Sequence, residues 1–185
     1  MNYHYLLLAI ISFTFGISAK YADLYNEHGL KEPFKGASYL AGLIWGICGV
    51  LILIISPLSG LTYIAHILYW FQRIKLEYPN HATAGVIVLL AGYYQGDFLY
   101  QHRMELVAVY LAYLTTGYLH SYLQAYYPAM KSFLRLRLRI YLIPLFYSFY
   151  HHNWEPIVAT CFGMLGTELI TSLYRDYADD LRKNI

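Results

Sequence analysis

GASYLAGLIWGICGVLILIISPLSGLTYIAHILYWFQ, residues 36–72, contains no Asp, Glu, Lys or Arg, and Lys35 and Arg73 bound it on either side. A bilayer core about 30 Å thick is crossed by roughly 20 helical residues, so the run is long enough for two crossings. Ser56-Pro57-Leu58-Ser59-Gly60 divides it. Pro and Gly end helices, and an uncharged turn lies close to the membrane surface, so residues 37–56 and 59–72 read as a tight transmembrane hairpin.

The composition belongs to the same class. Hydrophobic residues make up 58% of the 185-residue chain and charged residues 13%, against roughly 25% charge in an ordinary soluble domain. Mean hydropathy is only +0.38 because the 22 tyrosines score as weakly polar; tyrosine nonetheless suits membrane interfaces and bundle interiors. Cys48 and Cys161 both fall in apolar segments, which speaks against a disulfide framework or a cysteine zinc site. The N-terminus lacks a basic region and a small-residue cleavage site, so its apolar run reads as a retained first helix.

Seven apolar segments follow in order: 3–19, 37–56, 59–72, 83–100, 105–125, 139–153 and 156–174. The expectation is an all-α, polytopic helix bundle in the cell membrane, a single transmembrane domain over 1–185 with about seven spans. With the N-terminus outside and the C-terminus cytoplasmic, every Lys and Arg except Arg103 falls on the inner side, as the positive-inside rule requires. Adding or removing one helix destroys that asymmetry.

The same topology brings seven of the 11 carboxylates to the cytoplasmic face. Asp23 and Glu27 after the first segment, and Asp176, Asp179 and Asp180 after the last, form spaced pairs on helix faces that suit Mg²⁺ held against a phosphate. Lys20, Arg73, Arg135, Arg139 and Arg175 supply cations for phosphate oxygens. Juxtamembrane charges of this kind are also ordinary topology signals and lipid anchors. Glu168 stands inside an apolar segment, where a charge costs at least about 2.5–3.5 kcal/mol, so it is a candidate catalytic residue expected to be buried among helices.

Residues 20–92 resemble the first conserved part of UbiA-type intramembrane prenyltransferases. The likeness rests on Asp23 and Glu27 after a helix, Pro33 and Gly36, the hairpin, the basic turn of Arg73 and Lys75, and an apolar helix opening with small residues. It implies transfer of a prenyl group from a diphosphate held by Mg²⁺ at the cytoplasmic face. The family's second acidic motif has no counterpart after the fifth segment, where SYLQAYYPAM stands.

Histidine offers a different chemistry. His102, His151 and His152 lie on the outer side with Asp97, Glu105 and Glu155, the ingredients of an external metal or proton-handling site. No HxxxH or HExxH spacing joins them, and the adjacent His151 and His152 point apart on a helix, so interfacial packing is the preferred account. Two functions therefore stand: an enzyme acting on a phosphate- or diphosphate-bearing lipid or isoprenoid, with Mg²⁺, or a transporter or channel whose polar path is lined by Glu168, His66, His120 and tyrosines. Membrane lipids are the expected partners, with no nucleic acid. Gly42, Gly46 and Gly49, and Gly92 and Gly96, have the small-residue spacing for close helix approach, within the fold or in a homo-oligomer.

Overall fold

The computed structural model describes residues 3–27, 30–73, 78–127 and 138–174, with the side chains of Asn26 and Glu27 excepted. Among them the regular structure is all helical: α1 (Tyr3–Glu27), α2 (Ala37–Ile55), α3 (Pro57–Gln72), α4 (Pro79–Tyr94), the short α5 (Gly96–Gln101), α6 (Arg103–Tyr126), α7 (Leu138–His151) and α8 (Glu155–Leu173). Each of the seven apolar segments holds one long helix. Three of them, Tyr3–Tyr25, Ala37–Ile55 and Glu155–Leu173, are long and apolar enough to cross a membrane.

The boundaries shift where proline starts a helix. Ser56 is at once the last cap of α2 and the first cap of α3, so the hairpin turns on a single residue. Its hydroxyl accepts the Ser59 amide, and Pro57 sits in the first turn, where a missing N–H costs nothing. α3 therefore begins at Pro57 rather than at Ser59. Pro79 likewise opens α4 four residues before the apolar run, and α1 continues past Lys20 to Glu27. The fourth segment breaks at Gln95 into α4 and α5.

α2 buries one face and leaves an apolar face exposed. Its inner face is mainly small or polar, with Ala37, Ser38, Ala41, Gly42, Gly46 and Gly49 beside the fully buried Trp45. Its outer face carries Leu40, Leu43, Ile47, Leu51 and Ile54, all exposed. An exposed apolar stripe of this kind suits a membrane or a partner surface, and small inner residues let backbones approach. The glycines are used within the chain: a Cβ on Gly42 would lie 2.6 Å from the Asn80 carbonyl oxygen, and one on Gly49 2.5 Å from a Val88 methyl, both on α4. α1 and α8 touch backbone to backbone, since a Cβ on Gly16 would run into the Gly163 carbonyl and one on Gly166 into the Phe13 carbonyl.

Two apolar clusters result. One joins α1, α2, α3, α4 and α8 around Leu8, Phe15, Trp45, Ile52 and Val88. The other joins α3, α6 and α7 through Leu61, Ala65, Tyr69, Val109, Tyr113 and Tyr147. His66 belongs to the second, stacked on Tyr113 with centroids 4.6 Å apart and planes 5° apart. It packs ring against ring, with Trp70 on the same helix as a further neighbour.

Candidate functional site

Polar side chains gather at the two ends of the bundle. At the end where α1 starts, the α7–α8 turn does the positioning. Asn153 N donates to Ser148 O at 3.0 Å and His152 N to Phe149 O at 3.2 Å, the paired bonds that close a helix with a left-handed residue, here His152 at φ 50°. Ser148, fully buried, accepts the otherwise orphaned Ile157 amide at 3.2 Å. This turn fixes His151 on one side and Glu155 on the other.

Glu155 ties three elements together. Its Oε1 lies 2.7 Å from His4 Nε2 on α1, and its Oε2 accepts from the Ser56 hydroxyl at 2.6 Å. Ser56 Oγ lies 2.7 Å from Ser59 Oγ. The three residue types are those of a hydrolytic triad, but the carboxylate sits between serine and histidine, so the imidazole does not contact the hydroxyl. The arrangement is a clamp.

Glu105 forms the second group. It lies in the first turn of α6, three residues after His102, whose Nδ1 is 3.0 Å from Glu105 Oε1. From α7, His151 Nε2 approaches Glu105 Oε2 at 2.7 Å, and the Tyr147 hydroxyl donates to the same oxygen at 2.8 Å. Tyr147 and His151 are one turn apart on α7 and share a face. One ligand atom from each of His102, Glu105 and His151 falls within 4.8 Å of the others. The group adjoins a cleft of about 460 Å³ between α6 and α7, lined by Met104, Glu105, Ala108, Val109, Ala112, Ile143, Phe146, Tyr147 and Tyr150. Glu105 and the tyrosine hydroxyls are its polar groups; the rest is apolar.

At the opposite end, Asp23 is engaged both within α1 and by α4: Oδ2 accepts from Lys20 Nζ at 3.3 Å, and Oδ1 lies 3.0 Å from His81 Nε2 of α4. The buried Asn80 amide reaches the Ala22 and Ser38 carbonyls, both at 3.4 Å, and so joins α1, α2 and α4. Arg73 donates to Ser121 Oγ at 3.0 Å and stacks over Tyr118. Arg139 is different, because its Nε and Nη1 are buried and find no hydrogen-bond acceptor among the described residues. The Glu27 side chain, Arg135, Arg175, Asp176 and Asp179 lie outside the described residues. Tyr21 and Tyr174 hydroxyls, 3.4 Å apart, make α1 and α8 neighbours where those acids begin.

Glu168 requires a correction. It is exposed on α8 and makes no hydrogen bond or ion pair among the described residues, where burial in the bundle was expected. Gly163, Gly166 and Ile170 form the buried stripe of α8, and Glu168 falls between its turns, on the outer side. The sequence named His102, His151 and Glu105 but not their union, and it missed Tyr147. The pairs His102/Glu105 and Tyr147/His151 were legible as same-face spacings, whereas the register of α6 against α7 was not. Compared with family models, with curated proteins and with solved structures, the chain matches none.

Proposed function

We propose that the chain is a seven-span protein of the cell membrane, N-terminus outside and C-terminus cytoplasmic, that acts enzymatically on an amphipathic lipid held between α6 and α7. The observation that carries this reading is the cleft: about 460 Å³, lined by apolar side chains together with Glu105. Its volume falls in the ordinary range for small-molecule sites. From Met104 to Ala112 it follows α6 for about 12 Å at 1.5 Å per residue, a length suited to an acyl or isoprenoid chain. The exposed rings of Phe146 and Tyr150 line its lipid-facing lip. Under the N-out topology, the polar group would work at the outer surface with His102, His151 and Tyr147 beside the carboxylate.

A second reading keeps a phosphate- or diphosphate-bearing lipid at the cytoplasmic end, as the UbiA-type resemblance implies. Arg139 favours it: its buried Nε and Nη1 find no acceptor among the described residues, which is costly, and an anion would satisfy them. The two readings differ in where a lipid is held. A diazirine-bearing lipid, photolysed with the purified protein, is expected to label α6 and α7 peptides containing Ala108, Ala112 or Phe146, and Ala112→Trp is expected to remove that labelling while the protein stays monodisperse. Labelling unchanged by Ala112→Trp, or centred on α7 near Arg139, would refute the cleft assignment.

A further inference from the structure

We infer that His102, Glu105 and His151 form a binding site for one divalent transition-metal ion of the zinc class. Two imidazoles and a carboxylate are a borderline-soft donor set that suits zinc and its neighbours and does not suit Mg²⁺ or Ca²⁺, which take oxygen ligands. Ligand atoms about 2.0–2.2 Å from such an ion stand about 3.4 Å apart in a tetrahedron. The two nitrogens approach opposite oxygens of Glu105, His102 Nδ1 at 3.0 Å from Oε1 and His151 Nε2 at 2.7 Å from Oε2, both closer than that spacing, so an ion would replace these hydrogen bonds as the groups draw slightly apart around it. One ligand atom from each of the three residues lies within 4.8 Å of the others, close enough for a single ion to reach all three.

The surroundings separate this group from an ordinary hydrogen-bonded cluster. Each histidine presents a nitrogen to the same carboxylate, and the Tyr147 hydroxyl binds Glu105 Oε2 at 2.8 Å. With the ion bound through one carboxylate oxygen, Tyr147 would hold the other and fix its orientation, the outer-shell support that metal ligands usually have. Three protein ligands leave a fourth position open, the arrangement of reactive rather than purely structural zinc sites. Glu105 and Tyr147 are walls of the α6–α7 cleft, so the open position adjoins it. Use of the ion on a lipid rests on the proposed function; the binding site itself rests only on the cluster.

The test is metal content and spectroscopy on the detergent-purified full chain, without added lipid. After EDTA stripping and dialysis against equimolar Zn²⁺, one zinc per chain is expected. Co²⁺ in its place is expected to give the intense visible bands of a four-coordinate site. His102→Ala and His151→Ala are each expected to weaken binding by about 100-fold, and Tyr147→Phe by about tenfold as an outer-shell partner. His152→Ala, at the exposed neighbouring position, is expected to retain one zinc per chain. The cobalt spectrum needs no variant, so a misfolded mutant does not leave the question open. Substoichiometric zinc with a six-coordinate, aqueous-like cobalt spectrum would overturn the inference, as would zinc retained in both histidine variants. Lipid labelling of the metal-free protein tests the cleft separately.

Discussion

His152 occupies the left-handed position that ends α7, where glycine is the usual residue. Its side chain is exposed, so little packing depends on it. His152→Gly is expected to raise stability by about 1 kcal/mol, the strain of a Cβ in that conformation, with a Tm increase of about 2–4 °C. A lowered Tm would show that the imidazole itself holds the turn. Glu32 gives a pH signature. Hydrogen bonding by Ser38, together with the Gly36 amide at 2.9 Å, holds its carboxyl below the usual carboxylate range. A depressed folded-state pKa means that the stabilisation is complete above the unfolded value near 4.5 and is lost as pH falls through the folded one. Glu32→Gln is therefore expected to flatten the stability curve below about pH 5 and to leave its shape at pH 7–8 unchanged. Glu168 lies on the outer side of α8, so Glu168→Leu is expected to leave the fold intact, read as an unchanged elution profile and a Tm no lower than the parent's.

At the scale of helices, close approach of backbones decides stability. Gly166→Leu would force α8 off the Phe13 carbonyl and is expected to cost about 3 kcal/mol or more, since rigid backbone cannot make room. Gly96→Ala, with nothing within 4 Å of its Cβ, is expected to be neutral in the same melt. Helix existence was plain in the sequence because an apolar run bounded by charge has one solution in lipid. Helix ends were less plain. Ser56-Pro57 reads as a break, yet Pro at a first helical position and Ser as cap make it a start, and only the packed hairpin decides between them. The break at Gln95-Gly96 had a glycine signal, but isolated glycine inside an apolar run is equally consistent with packing.

Across the whole molecule, the polar end groups tie the helices to one another. Glu155 links α1, the α2–α3 turn and α8 through His4 and Ser56, while Glu105 links α6 to α7. Such contacts were beyond the sequence because His4 and Glu155 stand 151 positions apart and nothing local pairs them. The acidic sets around Asp23 were visible, but Asp23 is taken up by Lys20 one turn earlier on α1 and by His81 on α4, and the second pairing is set by how α1 turns against α4.

The orientation in the membrane is the most direct test, because it decides whether Glu105, His102 and His151 face outward. In a Cys48→Ala, Cys161→Ala background, single cysteines are placed at the exposed Arg103 and Lys35 and challenged in intact cells with a membrane-impermeant maleimide. Labelling of Arg103→Cys without permeabilisation, and of Lys35→Cys only after it, is the predicted result. The reverse pattern would contradict the outward-facing site, and labelling of both from outside would contradict the seven-span arrangement as well.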